Sequence, residues 1–253
     1  MIQNKEQFEK LIREASDREF SGWDFSFLAE RMVETPPSWD YRKKVMEKIK
    51  GAKSLLDLDT GGGEFLETLQ PFPGTVCATE GHPPNIPVAT ERLEPLGVKV
   101  VSTHAVMQLP YDDGAFELVI NRHGGILAAE IQRVLAAGGW FVTQQVGGRN
   151  CVQLNEALRV QSDALSALWT LDLAAKQLED VGLRIVQRKE EFPATEFKDI
   201  GAVVYYLKTI AWQVTDFSVG KYYDQLAEIH NAIQKNGSFP VKEHRFYIEA
   251  QKA

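Results

Sequence analysis

Between residues 53 and 193, short apolar runs alternate with amphipathic segments, and this alternation constrains the fold more than any other feature of the chain. KSLLDLD, GTVCATE and VKVVST predict buried strands, whereas GEFLETLQ and PNIPVATERLEPLG between them predict helices. Strands that are separated by helices pair in parallel through right-handed crossovers. With AFELVIN, WFVTQQV, LRIVQRKEEF and HRFYIEAQ added, the pattern predicts an α/β fold with a doubly wound, mostly parallel seven-stranded sheet.

Helical additions are expected at both ends of this sheet. Residues 1–50 show apolar spacings typical of helices, interrupted at Pro36-Pro37, and predict a helical front segment. Residues 51–193 form the expected core. After residue 194 the alternation stops, so residues 194–253 predict a helical insertion followed by the last strand. Residues 1–253 are therefore interpreted as one domain with additions at the N-terminus and before the last strand.

Composition narrows the function classes. The 28 basic and 35 acidic side chains give a formal net charge of −7, so the chain as a whole repels phosphate backbones. No apolar run approaches the roughly 18 residues of a transmembrane helix, and the first residues lack the apolar stretch of a secretory signal. The two cysteines are too few for a disulfide framework or a four-thiolate zinc site. We expect a reduced, cytoplasmic protein without a membrane or metal site.

The most informative stretch is SLLDLDTGGGEFLETL, residues 54–69, where a predicted strand runs into three glycines and a helix follows at once. Glycines at a strand-to-helix turn allow the backbone to pass close beneath a ligand, and the first amides of the helix then face that ligand. Such a turn is compatible with a dinucleotide site, a phosphate-binding loop or a simple tight turn. The phosphate-loop interpretation fails because no Gly-Lys-Ser/Thr follows the glycines.

The next predicted strand ends in Glu80. Neighbouring parallel strands end at the same edge of a sheet, so this side chain is expected close to the glycine turn. Its carboxylate is suited to accept hydrogen bonds from both hydroxyls of an adenosine ribose, the alternative being a helix-capping or surface glutamate. Together, the glycine turn and the acidic residue favour a cofactor that contains adenosine.

These residues resemble the class I S-adenosylmethionine-dependent methyltransferases, and specifically the methyltransferase-11-like group. LLDLDTGGG is similar to that group's first motif, apolar-apolar-Asp-x-Gly-x-Gly-x-Gly, and Glu80 stands at the acidic position of its second motif. LPYDDGAFELVINRHGG and EIQRVLAAGGWFVTQQ resemble two later motifs in the same order. The resemblance covers residues 53–146 and more weakly 171–192, and implies a Rossmann-like methyltransferase fold with S-adenosyl-L-methionine as the cofactor. A dinucleotide dehydrogenase fits the later segments less well.

The resemblance also implies which residues contact the cofactor. Those expected along its methionine and ribose parts are Asp57, Thr60, Gly61, Gly63 and Glu80. Those expected beside the adenine are Gly81, His82, Ala105 and Val106. Asn121 and Arg122, just past the fourth strand, are expected to border the transferred methyl group.

The chain departs from the group's pattern at three positions. Asp59 stands where the group has its first motif glycine, and its carboxylate is expected either to hold the cationic sulfur or to accept from a turn amide. Ala105 stands where many members have an aspartate that meets the adenine amino group, so adenine recognition is expected to use backbone groups. Ala137 replaces a proline before two glycines, which alters only the stiffness of the turn.

Aromatic residues ahead of the core supply a second candidate set. PPSWDYRKK places Trp39 and Tyr41 on the helix that leads into the first core strand. In related enzymes a front helix of this sort closes over the donor, where aromatic rings exclude water and attract the sulfonium. The alternative is packing against the sheet.

His123 is the candidate general base, because it directly follows the fourth strand and an imidazole titrates near neutral pH. A base is needed only if the acceptor loses a proton, and the alternative is a hydrogen-bonded structural histidine. Arg149 is expected either to pair with an acidic acceptor or to lie on the surface, and YYLKTIAWQV, residues 205–214, either to roof the acceptor pocket or to pack.

The sequence thus predicts an S-adenosylmethionine-dependent methyltransferase with a small-molecule acceptor. The alternatives are an RNA or protein methyltransferase, which the acidic charge balance disfavours without excluding it, and a non-catalytic adenosylmethionine-binding protein, which the departures at Asp59 and Ala105 suggest. A metal-dependent catechol-type enzyme is disfavoured because the histidines lack a ligand spacing.

Overall fold

The chain folds into two sheets with helices around them, and the computed structural model describes residues 1–20, 24–103, 108–161 and 164–253. The helices are α1 (Lys5–Asp17), α2 (Tyr41–Ile49), α3 (Glu64–Glu67), α4 (Asn85–Leu93), α5 (Ala128–Val134), α6 (Val152–Ala157), α7 (Ala164–Ala167), α8 (Leu171–Asp180), α9 (Ile200–Thr209) and α10 (Tyr223–Asn236). Short 3₁₀ turns cover Ser26–Leu28 and Glu94–Leu96. The strands are β1 (Met32–Glu34), β2 (Ser54–Leu58), β3 (Thr75–Glu80), β4 (Lys99–Ser102), β5 (Phe116–Arg122), β6 (Leu135–Val146), β7 (Leu183–Glu191), β8 (Ala194–Phe197), β9 (Phe239–Lys242) and β10 (Arg245–Lys252).

The main sheet has seven strands in the order β4-β3-β2-β5-β6-β10-β7. The five strands from β4 to β6 pair in parallel, and β10 lies antiparallel between β6 and β7. This confirms the predicted doubly wound, mostly parallel seven-stranded sheet. The chain moves outward from β2 to β4 and then returns to the other side of β2 with β5, so the crevice at the carboxyl ends of β2 and β5 is the switch point where ligands bind in such sheets.

Alternation along β2 explains why both faces of the sheet are covered by helices. Leu55 and Leu56 are both fully buried, and consecutive strand residues point to opposite faces. Leu55 packs in the cluster with α2 and α4, through residues such as Val45, whereas Leu56 packs in the cluster with α5 and α8. A strand that is apolar at successive positions therefore lies between two helical layers.

The helix predicted over GILAAEIQRVLAAGG is shorter than the sequence pattern suggests. The α5 helix ends at Val134, because Leu135 has an extended backbone, with φ −69° and ψ 134°, and pairs with Phe116 of β5. The strand β6 begins there and runs through both glycines. Strand pairing with β5 has overridden a local helical pattern.

A three-stranded antiparallel sheet, in the order β1-β8-β9, was not predicted. Residues 32–34 were expected within the helical front segment, but they form β1 because they pair with residues 195–197 of β8. Around this sheet, α1, α9 and α10 share one apolar core, in which Phe8, Val203 and Leu226 are fully buried. We call residues 1–20, 24–34 and 194–242 the cap. Among the described residues, no helix is both long and apolar enough to cross a bilayer.

Candidate active site

The glycine turn follows β2 directly, at the switch point of the main sheet. Asp57 is only 3% exposed, and its Oδ2 accepts a hydrogen bond of 2.7 Å from the Thr60 hydroxyl. Gly61 and Gly63 have positive φ values of 66° and 82°, which favour glycine. A side chain at Gly63 would also strike Leu93 of α4, with its Cβ 2.7 Å from the Leu93 Cγ. The turn is therefore shaped by backbone conformation and by close packing.

Burial raises the pKa of Asp57 to about 7, and the neighbouring carboxylates Asp59 and Glu80 add to the rise, whereas the Thr60 hydroxyl and Arg122 oppose it. Desolvation disfavours the charged form of a carboxyl group, and negative neighbours disfavour it further. Three carboxyl groups therefore lie close together at this end of the site, and a bound cation would reduce the repulsion between them.

Glu80 lies beside the glycine turn and is 4% exposed. Its Oε2 accepts a hydrogen bond of 2.7 Å from the Gly61 amide, and its Oε1 accepts one of 2.6 Å from the His82 amide. Burial raises the pKa of Glu80, although both amides favour the ionised form. The carboxylate thus joins the turn after β2 to the turn after β3, and it is neither a helix cap nor a surface group.

Asp59 has a left-handed backbone, with φ 56°, and lines the cavity. Its Oδ2 accepts a hydrogen bond of 3.0 Å from the Gly125 amide, in the loop that follows β5. Its own amide donates to the Thr79 hydroxyl at 3.3 Å. Burial raises the pKa of the Asp59 carboxyl, whereas the Gly125 amide lowers it. The Asp59 side chain does accept from a turn amide, but this amide belongs to the loop after β5 and not to the glycine turn.

His123 is held in one tautomer by a chain of side chains. The Trp39 indole Nε1–H donates to Gln144 Oε1 at 2.8 Å, so the Gln144 Nε2 must be the group that faces His123 Nε2 at 3.2 Å. An amide nitrogen only donates, and His123 Nε2 therefore accepts and carries no proton. Burial, and then the nearby charges of Arg122 and Arg245, lower the pKa of His123 well below its ordinary value. The ring is neutral with its proton on Nδ1.

Trp39 and Tyr41 lie behind the cavity wall. Both are buried, at 6% and 5% exposed. The Tyr41 hydroxyl donates to the carbonyls of Asn121 and Val142, each at 3.1 Å, and so supports the ends of β5 and β6. In this structure their polar atoms are engaged by the protein, and contact with a cofactor stays a prediction for both.

The predicted site residues divide into three groups. Those on the cavity wall are Asp57, Asp59, Thr60, Gly61, Glu80, His82, Arg122 and His123. Those in the described part of the chain that lie off this wall are Gly63, Gly81, Asn121, Trp39 and Tyr41. Ala105 and Val106 fall outside the described residues.

One cavity of about 1550 Å³ separates the carboxyl edge of the main sheet from the cap. The cap contributes residues of the segment 205–214, among them Tyr206, Ile210 and Trp212. A pocket for one drug-sized ligand measures roughly 300–1,000 Å³, so this cavity has room for a nucleoside cofactor and a second molecule. Arg149 does not line it, because its guanidinium lies 4.4 Å above the Phe192 ring, near Glu190.

Sequence reasoning missed a charged cluster at the junction of cap and core. Arg245 Nη2 lies 2.7 Å from Glu243 Oε1, and Arg245 Nη1 donates to Asn150 Oδ1 at 2.6 Å. Burial raises the pKa of Glu243, Arg245 opposes the rise, and the neighbouring Glu34 adds to it. Glu34, Asn150 and Arg245 come from distant segments, so no local pattern signals their proximity. Among the described residues, no group of three His, Cys, Asp or Glu side chains is arranged to hold a metal ion.

Comparison with known proteins finds a family model that matches part of the chain and solved structures with a similar fold. The methyltransferase-11 family, described as a methyltransferase domain, matches residues 56–143. BH2331 from Bacillus halodurans C-125 shares 21% identity at a TM-score of 0.61, over 84% of this chain and 98% of its own. An S-adenosylmethionine-dependent methyltransferase from Aquifex aeolicus shares 15% identity at a TM-score of 0.51, over 99% and 100%. The [4+2]-cyclase SpnF shares 14% identity at a TM-score of 0.54, over 97% and 94%. Curated protein sequences give no match.

Proposed function

We propose that this chain, which belongs to the class I S-adenosylmethionine-dependent methyltransferases, transfers a methyl group to a small molecule held between its main sheet and its cap. The cofactor is S-adenosylmethionine. The proposal rests on one observation. The glycine turn, Glu80 and the cap all line the same cavity, and this cavity is larger than the cofactor alone requires.

The residues at the switch point fit this cofactor. Each Glu80 oxygen accepts from one backbone amide, and a carboxylate oxygen has a second lone pair with which to accept from a ribose hydroxyl. The carboxylates of Asp57 and Asp59 stand nearby and complement a positively charged sulfur. When bound, the cofactor supplies an activated methyl group on that sulfur, so a large part of the work left to the protein is to hold the acceptor in line with it.

The chain's own residues suit positioning and exclusion of water. Arg122, at the end of β5, lines the cavity and stacks on Phe65 with its guanidinium carbon 4.9 Å from the ring centre. His123 presents an Nδ1–H as a hydrogen-bond donor, because its other ring nitrogen is occupied by Gln144. A role for His123 as general base stays a prediction, and it would require the Gln144 contact to break.

The charge of the cavity supports a small-molecule acceptor over a nucleic acid. Among the described residues that line it, carboxylates outnumber the two arginines, Arg122 and Arg245. The carboxylates belong to Glu34, Asp57, Asp59, Glu64, Glu80 and Glu243. With a formal net charge of −7 on the chain, this wall repels a phosphate backbone. The cap stands directly over the carboxyl edge of the sheet, which favours an acceptor that is enclosed rather than presented on a large partner.

A second candidate function is a reaction other than methyl transfer on the same fold, or cofactor binding alone. The similarity to SpnF favours keeping it, since that cyclase has this fold. Calorimetry with S-adenosylmethionine, followed by incubation with a tritiated methyl donor and a cell extract split into small-molecule, RNA and protein fractions, separates the possibilities. Label in the small-molecule fraction supports the proposal, and label only in RNA or protein overturns the acceptor class. Tight binding without label in any fraction favours the second candidate.

A further inference from the structure

The carboxylate of Asp59 lies between two turns of the cavity wall. Its Oδ2 is tied to the Gly125 amide at 3.0 Å, and within the described residues its Oδ1 has no hydrogen bond. The fit is tight, because a side chain added at Gly124 would place its Cβ 2.5 Å from the Asp59 Oδ2. The backbone at Asp59 has φ 56°, a conformation that a residue with a side chain adopts only at a cost. The Asp59 carboxylate is thus held against the loop after β5 through its Oδ2, and its Oδ1 is left without a hydrogen bond from the described residues.

The position of Asp59 matches one part of the cofactor. Glu80, on the ribose side, is close enough for the Asp59 charge to raise its pKa. The loop after β5, with Gly124 and Gly125, follows Arg122 on the side expected to border the transferred methyl group. In S-adenosylmethionine the charged sulfur joins the ribose to the methyl group. A carboxylate between these two sides would therefore face the sulfur of a bound donor.

We propose that Asp59 is a specificity-determining residue that favours the sulfonium donor over its thioether product. This inference rests on the proposed function. Transfer of the methyl group removes the positive charge from the sulfur, and S-adenosylhomocysteine differs from the donor at this atom alone. An unpaired carboxylate oxygen beside the sulfur attracts the sulfonium of the donor, whereas the thioether sulfur of the product carries no charge for it to attract. The consequence is weaker product binding and easier exchange after each turnover.

The test compares affinities for the donor and for S-adenosylhomocysteine by calorimetry, on the wild type, Asp59→Asn and Asp59→Gly. Asparagine keeps an oxygen for the Gly125 amide and removes only the charge, whereas glycine removes the side chain and suits the positive φ. We expect the ratio of donor to product affinity to fall by roughly three- to thirty-fold in both variants, the size of one partly screened charge contact. Affinity for the product should stay within about twofold.

Glu64→Gln is the matched control, because Glu64 also lines the cavity but pairs with Arg92 at 3.4 Å. Its affinity ratio should equal that of the wild type. An unchanged ratio in both Asp59 variants, or an equal loss of both affinities, would overturn the inference and leave the proposed function standing. If the wild type binds neither nucleoside, the proposed function fails and this inference fails with it.

Discussion

Replacing Glu80 by glutamine tests whether this carboxylate organises the cofactor site. Its Oε1 and Oε2 accept hydrogen bonds of 2.6 Å and 2.7 Å from the His82 and Gly61 amides. A glutamine has a single side-chain oxygen, so in Glu80→Gln its NH₂ group must face one backbone N–H, donor against donor. The variant therefore loses one charge-assisted hydrogen bond and leaves a buried amide unsatisfied.

The magnitude follows from that geometry. A hydrogen bond to a charged group contributes about 1.5–3 kcal/mol, and Glu80 is only 4% exposed, so solvent does little to replace it. We expect urea denaturation at pH 8 to show a fall of about 1–2 kcal/mol in the free energy of unfolding, because removing the charge that burial disfavours offsets part of the loss. The two amides belong to turns of the proposed cofactor site, so donor affinity measured by calorimetry should fall by roughly 10- to 150-fold.

Glu228→Gln provides the control for Glu80→Gln. Glu228 pairs with Arg159 at 2.8 Å on the surface, with 58% of its side chain exposed. Such a pair contributes little, so stability should change by less than about 1 kcal/mol and donor affinity should not change. If Glu80→Gln matches this control in both measurements, the carboxylate does not organise the turns and the ribose assignment loses its structural basis.

Three further variants test the turn and the base. Because burial raises the pKa of Asp57 to about 7, ionisation of this group destabilises the folded state. The wild type should therefore lose up to about 4 kcal/mol of unfolding free energy between about pH 4 and pH 7. In Asp57→Asn this loss should disappear. Denaturation curves that run parallel across this range would contradict it. Gly63→Ala should destabilise the fold by about 2–4 kcal/mol through its φ of 82° and its approach to Leu93, whereas Gly97→Ala, with the same φ and open space, should cost only about 1 kcal/mol. His123→Ala should retain donor affinity and lower kcat by about tenfold if the ring only donates a hydrogen bond, or by 10²–10⁴-fold with an altered pH profile if it is a general base; unchanged kcat removes it from the mechanism.

The main sheet and the core of the site were predictable because their signals are local. The run from Leu55 to Gly63 contains a buried strand, two carboxylates and the glycines of the turn within nine consecutive residues. Glu80 ends the next strand, and parallel pairing of β2 with β3 is enough to bring it to Gly61. Convergence of strand ends at the switch point follows from topology alone.

The protonation and tautomer of His123 were not predictable, because they depend on contacts that are distant in the sequence. Its place after β5 is local, but its tautomer depends on Gln144 and, through Gln144, on Trp39. The hydrogen bond between Trp39 and Gln144 fixes the orientation of the Gln144 amide, and this orientation decides whether His123 Nε2 is free to accept a proton. Sequence reasoning thus located the histidine at the cavity without establishing its chemistry, and the same chain of contacts places Trp39 behind the wall.

Under the proposed function, acceptor recognition depends on the parts of the chain that local patterns describe least well. The cap sheet is made of strands of three or four residues from three distant segments, too short to show a period. Glu34 ends β1, Glu243 follows β9 and Arg245 begins β10. These residues are therefore brought together only by the packing of the cap against the core. The glycine turn of the proposed cofactor site is therefore set by consecutive residues, whereas the charged cluster around Arg245 is set by tertiary contacts alone. Substitutions at Glu34, Glu243 or Arg245 should accordingly change acceptor choice and KM before they change donor affinity.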